Sequence, residues 1–177
     1  GTDFDGDGKE ECVVGNHDGK LMYYAGRLKY YVNTGTSSSP KFTERTGTQN
    51  PFDCIDVCRL ASPFCGSDFD GDGKEECVVG NSDGKLKNYV KTCTSSSPKF
   101  TERTGTQNPF DGIDVGSSAS PSCGTDFDGD GKQECVVGIS DGTLKYLVNT
   151  GTSSSPKFTE RTGAQNPFDG IDVGDTA

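Results

Sequence analysis

"DFDGDGKEEC" (Asp3–Cys12) returns as "DFDGDGKEEC" (Asp68–Cys77) and again as "DFDGDGKQEC" (Asp126–Cys135). The second and third copies start 58 residues apart, and the first and second 65 apart, the excess being "MYYAGRL" (Met22–Leu28). Internal repetition at such a period marks an array of equivalent supersecondary units. The chain therefore divides into repeat 1 (1–65, with a seven-residue insert at 22–28), repeat 2 (66–123) and repeat 3 (124–177, with an incomplete end).

Within each unit, "ECVVGNS" is a β-branched run stopped by Gly and Asn. "HDG" (His17–Gly19), "SDG" (Ser82–Gly84) and "SDG" (Ser140–Gly142) then supply residues that tolerate positive φ, a hairpin signal. The segment from Lys20 to Thr34, with the insert, and "TLKYLVNT" (Thr143–Thr150) read as returning strands. "TSSSP" is a loop, since Pro lacks a donor and Ser competes for backbone groups. "KFTERT" alternates like an exposed strand, and "QNPFDGIDVG" is a turn-rich connection. No segment sustains a helical period. The expected fold is all-β: three four-stranded antiparallel propeller-like blades with a repeat of about 58 residues. Propellers close with about four to eight blades, so three do not close one within a single chain. A β-solenoid or a string of separate hairpins is the alternative.

Oxygens at the first, third and fifth positions of a tight loop can converge on one point. The first loop offers Asp3, Asp5 and Asp7, then the Lys9 carbonyl at position seven and Glu11 at position nine. Its counterparts are Asp68, Asp70, Asp72, the Lys74 carbonyl and Glu76, then Asp126, Asp128, Asp130, the Lys132 carbonyl and Glu134. Four carboxylates and a carbonyl form a hard, all-oxygen set suited to Ca²⁺, whereas Mg²⁺ keeps more water and Zn²⁺ takes His or Cys. Two carboxylates 4 Å apart repel by about 4 kcal/mol at an effective dielectric near 20, so the loop needs a cation. About three Ca²⁺ sites are expected, and three such ions would bring the formal charge of −10 to roughly −4. An EF-hand is excluded, because Val14, Val79 and Val137 stand where its closing Glu belongs. The competing reading is a solvated acidic turn.

Hydrophobic residues make up only 29% of the chain, so a large apolar interior is not expected. The charge of −10, with Lys and Arg scattered singly, argues against nucleic acid as a partner. No apolar run is long enough to span a membrane. Eight cysteines in a chain this short point to an oxidising, extracellular or cell-surface compartment, against the alternative of buried free thiols. A Cys-ligated zinc site is disfavoured, since no C-x-x-C pair exists. His17 is the single histidine and replaces turn serines, so no catalytic constellation is evident and no enzyme is expected. Tyr23, Tyr24, Tyr30 and Tyr31 read either as fillers between blades or as a sugar-stacking platform. The Ser/Thr loops are candidates for O-glycans.

The run "DFDGDGKEECVVGNSDGKL", with "NTG", a Pro, a Phe and "NPFDGIDVG…SP" after it, resembles the FG-GAP/VCBS-like repeat, a calcium-binding blade of secreted and surface β-propellers. The resemblance spans all three units. It implies "ASPSCGT" as strand one, "ECVVGNS" as strand two, the Tyr/Val-rich segment as strand three and "KFTERT" as strand four, with the calcium loop between the first two. Glu at the ninth loop position, in place of the more usual Asp, departs from the family pattern, and so does the Cys after it.

With that strand order, Cys65–Cys77 and Cys123–Cys135 can staple hairpins around their loops. Cys12 shares the phase of Cys77 and Cys135, but its partner would fall ahead of Gly1. Cys54, Cys58 and Cys93 replace glycines of the other copies and are candidates for a non-repeating bridge or a bond to Cys12 or another chain. The first blade is expected to lack its first strand, and the chain reads as processed or as part of a longer array. Its open ends invite self-association. The expected function is a secreted, calcium-stabilised structural or adhesive repeat protein, of the kind that serves as the subunit of a head-to-tail extracellular fibre. The alternatives are a propeller-type lectin and a non-catalytic module of a larger secreted protein.

Overall fold

The computed structural model describes residues 3–17, 26–92 and 98–174, which hold eleven β-strands, three single-turn 3-10 helices and no α-helix. The first sheet is β1 (Cys12–His17), β2 (Gly26–Asn33) and β3 (Phe42–Arg45). The second is β4 (Ser62–Ser67), β5 (Glu76–Gly80), β6 (Leu86–Lys91) and β7 (Phe100–Arg103). The third is β8 (Ser120–Thr125), β9 (Glu134–Gly138), β10 (Leu144–Asn149) and β11 (Phe158–Arg161). Each sheet is an antiparallel meander in chain order, and the three do not close on one another. The second and third sheets have the four strands expected; the first has three among the described residues. Of the insert 22–28, residues 22–25 lie outside the described residues, as do Tyr23, Tyr24 and Cys93. His17 ends β1, and its side chain is likewise outside them.

Strand periodicity decides how the sheets stack. Val78 and Val79 are adjacent on β5 and so point to opposite faces. Val79 joins a core with Phe4, Leu28, Tyr30, Phe52 and Val57 of the first unit, while Val78 joins one with Val137, Ile139 and Leu147 of the third. The middle sheet is thus buried on both sides, which accounts for its unbroken apolar run. A modest hydrophobic content suffices because it is spent on two thin inter-sheet cores. Tyr30 fills the first of these and is not a surface platform.

Aromatic rings define each inter-sheet contact. Phe100, which opens β7, stacks on Phe52 at 4.4 Å and meets Phe4 edge-on at 5.7 Å. Phe158, which opens β11, repeats this on Phe110 at 4.4 Å and Phe69 at 5.6 Å. The Phe100 and Phe158 N–H groups donate to the Pro51 and Pro109 carbonyls at 3.2 and 2.8 Å. "KFTERT" therefore departs from the exposed strand expected: in two units its Phe is a knob set into the preceding unit. Asn50, Asn108 and Asn166 hold the receiving turn in place. Their amides donate to the Leu28, Leu86 and Leu144 carbonyls at 3.1, 3.1 and 3.0 Å, and their oxygens accept from Phe52, Phe110 and Phe168 N–H.

Disulfides join Cys65 to Cys77 and Cys123 to Cys135 across β4–β5 and β8–β9, at directly opposed strand positions. Closing loops of this length contributes about 3 kcal/mol in the chain-entropy picture. Cys12, Cys54 and Cys58 are free thiols. Cys54 and Cys58 adopt left-handed backbone (φ 66° and 72°), where the other units have Gly112, Gly170, Gly116 and Gly174 at φ 78–110°. A side chain in that region costs about 1–2 kcal/mol. The double variant Cys54→Gly, Cys58→Gly is therefore expected to melt several degrees higher than the parent; an unchanged or lower melting temperature by calorimetry would refute the strain.

Candidate metal centres

The second and third aspartate loops leave an edge strand, β4 or β8, and return as its neighbour, so the β-ladder pins both their ends; the first loop runs into β1. The glycines make the intervening curl possible: Gly71 and Gly73 take φ of 71° and 79°, and the same pair recurs in the other loops. The leading aspartate organises the turn. Asp68 Oδ1 accepts from Gly71 N–H at 2.7 Å, and its Oδ2 accepts from Gly73 N–H at 2.9 Å. Asp3 and Asp126 do the same for Gly6 and Gly8, and for Gly129 and Gly131.

Carboxylates gather as the spacing anticipates. Oxygens of Asp68, Asp70, Asp72 and Glu76 lie within 4.8 Å of one another, as do those of Asp126, Asp128, Asp130 and Glu134. In the first loop Asp3, Asp5 and Glu11 converge, while Asp7 lies outside that group. The Asp7 carboxylate is 2.9 Å from Lys9 Nζ, and that hydrogen bond holds it below the usual carboxylate range. Lys74 and Lys132 pair with Asp72 and Asp130 in the same way, at 2.6 and 2.7 Å. The two loops with four convergent carboxylates are the two flanked by disulfides.

Glu11, Glu76 and Glu134 distinguish these loops from solvated turns. All three side chains are buried. One oxygen of each accepts a backbone N–H, from Phe4, Phe69 and Phe127 at 2.8, 2.7 and 2.7 Å. The other oxygen is buried and has no hydrogen-bond partner. Burial pushes the Glu11 and Glu76 carboxyls up to about 7, and raises that of Glu134. A buried, half-satisfied carboxylate beside two or three others is a costly arrangement without a cation. These clustered carboxylates could hold a metal ion, and an all-oxygen donor set is one that hard cations take.

The middle loop differs in one respect that its own motif does not reveal. Arg103 Nη2 sits 2.8 Å from Asp70 and 3.8 Å from Glu76. Opposite Arg103 on β6 is Asn88, where the other units place Tyr30 and Tyr146. Tyr30 and Tyr146 contact the loop phenylalanines Phe4 and Phe127 edge-on, at 6.1 Å in both cases. Asn88 supplies no ring there, and its amide is buried without a partner. The middle loop thus carries an internal counter-charge, and an entering ion would have to compete with it.

Comparison with protein-family models, with curated proteins and with solved structures finds no match for this chain. No helix among the described residues is long and apolar enough to cross a membrane.

Proposed function

We propose that this is a calcium-stabilised, non-catalytic repeat protein of the extracellular space, with a structural or adhesive role, whose blades are of the FG-GAP/VCBS-like type and whose copies associate with one another. The observation that carries the metal reading is the buried oxygen without a hydrogen bond on each of the three glutamates, each facing converged aspartates. In Glu11 and Glu134 no cationic side chain among the described residues lies within ion-pair distance of it, while in Glu76 it has Arg103 at 3.8 Å. Asp68, Asp70, Asp72 and Glu76, their counterparts in the third unit, and Asp3, Asp5 and Glu11 in the first would hold the ions. Ca²⁺ supplies the positive charge that lets these groups stay ionised at close range. The chain's own contribution is preorganisation: backbone N–H groups orient the leading aspartate, the ladder fixes the glutamate, and the disulfides clamp the second and third loops. Two disulfides in a short acidic chain suit an oxidising compartment. Extracellular calcium modules work with affinities of about 10⁻⁴–10⁻³ M, so modest sites are sufficient there.

Titration calorimetry of the chelator-treated protein tests this. Three ions per chain are expected, in two affinity classes, with the middle site weaker because Arg103 must be displaced. Arg103→Gln should merge the classes. Absence of binding heat at millimolar Ca²⁺, or equal binding of all three sites with Arg103 present, would contradict the respective part.

A further inference from the structure

The outward faces of the first and third sheets carry the two unmatched halves of one interface, and the geometry points to a second copy of this chain as what joins them. This rests on the self-associating part of the proposed function and gives it a surface. Inside the chain the interface is built twice. A Phe that opens the fourth strand of one unit enters a slot formed by two Phe of the unit before it. Phe100 and Phe158, the seated knobs, are both 3% exposed. Phe42 opens β3 at the equivalent position of the first unit, and it is 46% exposed. On the same face, Val14 is 46% exposed, whereas its counterparts Val79 and Val137 are fully buried.

The opposite end shows the complementary deficit. Phe127 and Phe168 form the edge-on pair of a slot at 5.9 Å, with no third ring stacked on Phe168 among the described residues. Phe127 is 49% exposed, against 1% and 5% for Phe4 and Phe69. Val173 is 55% exposed, against 0% and 2% for Val57 and Val115. Beside them a groove of about 280 Å³ is lined by Leu144, Phe168 and Ile171. An apolar knob at one end and an apolar slot at the other, each already matched to the other's shape within the same molecule, make a heterologous contact that can propagate.

Phe42 of one copy would occupy the Phe127–Phe168 slot of the next, with its N–H directed to the Pro167 carbonyl as those of Phe100 and Phe158 are to Pro51 and Pro109. Internal contacts also include the first strand of each unit, where the Ala61 and Ala119 carbonyls press on Gly15 and Gly80. A contact between copies, unlike these, is not tethered by the chain. Its assembly is reversible and depends on concentration.

Sedimentation velocity of the whole chain in millimolar Ca²⁺, over a wide range of protein concentration, tests the proposal. The weight-average mass should climb with concentration past twice the 18.7 kDa of one chain. Phe42→Asp alone and Val173→Asp alone should each remain monomeric. Mixed in equal amounts, they should form a two-chain species that grows no further, because each retains one competent end. Should either substitution disturb the fold by circular dichroism, Val14→Lys and Ile171→Lys reach the same two faces. A monomeric wild type at all concentrations, or variants that assemble as the wild type does, would overturn the proposal. A wild-type dimer that persists in each single variant alone would overturn it as well. Calcium heats on the same samples separate the two ideas: lost assembly with intact heats removes the docking surface and leaves the ion sites standing.

Discussion

Chelating divalent cations is expected to lower the melting temperature of this protein by on the order of 20 °C. A ligand present at a hundred times its dissociation constant, about 10 mM Ca²⁺ for sites of about 10⁻⁴ M, stabilises the native state by about 2.7 kcal/mol per site, so three such sites contribute about 8 kcal/mol. For a chain of this length, 1 kcal/mol corresponds to roughly 2–4 °C. The effect also has a pH signature. In the metal-free protein the Glu11 and Glu76 carboxyls are raised by burial to about 7, from 4.5 for the free side chain. Between these values the native state binds more protons than the unfolded chain, so stability falls as pH rises. The chelated protein should therefore melt higher at pH 5 than at pH 8. Calcium requires ionised carboxylates, so the calcium-loaded protein should show the opposite slope. Scanning calorimetry at both pH values, with and without chelator, decides the matter. A melting curve indifferent to chelator would remove the ion from the account of stability.

Much of this arrangement was legible in the residues. Val–Val–Gly runs, turn dipeptides and their spacing made eleven short strands plausible, because β-branching and positive-φ residues act locally. The carboxylate clusters were legible for the same reason: alternate positions of one short loop converge whatever surrounds it. Features that join separate units were not. Phe100 belongs to a segment whose alternation suggests exposure, and only the stacking of one sheet on another buries it against Phe52. Arg103 reaches Asp70 across 33 residues, where Asn88 stands in place of a tyrosine. The Asn50, Asn108 and Asn166 locks sit in a stretch that reads simply as a turn. One signal was available for the knobs: Phe42, Phe100 and Phe158 recur at a fixed phase behind each Pro-Lys pair, and the direction in which each points depends on packing. The exchange of Tyr for Asn88 was visible too, yet its consequence for Arg103 needed the strand register.

Gly80 is a position where the packing leaves no room for a side chain. It ends β5 in the doubly buried middle sheet, and the Ala119 carbonyl leading into β8 lies directly over its α-carbon. A Cβ at Gly80 would stand 2.0 Å from that oxygen and 2.7 Å from the carbonyl carbon, both backbone atoms that no rotamer change can move. Gly15 stands in the same relation to Ala61, at 1.6 Å, so the close approach is a repeated feature of how one unit's first strand settles on its neighbour. Gly73 is the instructive contrast: a Cβ there meets nothing, and its substitution would cost backbone conformation alone. Gly80→Ala must push the second and third sheets apart, opening the Phe69–Phe110–Phe158 cluster. Overpacking of this kind costs about 1–3 kcal/mol, and contact with rigid backbone places it at the upper end. That corresponds to a loss of roughly 6–12 °C in melting temperature, and Gly80→Val should be worse or fail to fold. Ala119 N–H also donates to the Asn81 carbonyl beside the glycine, at 3.0 Å, so displacement would strain a hydrogen bond together with the core. If Gly80→Ala melted with the parent while Gly73→Ala fell below it, the sheets would have to be farther apart than this fold allows, and the knob-and-slot geometry would need revision with them.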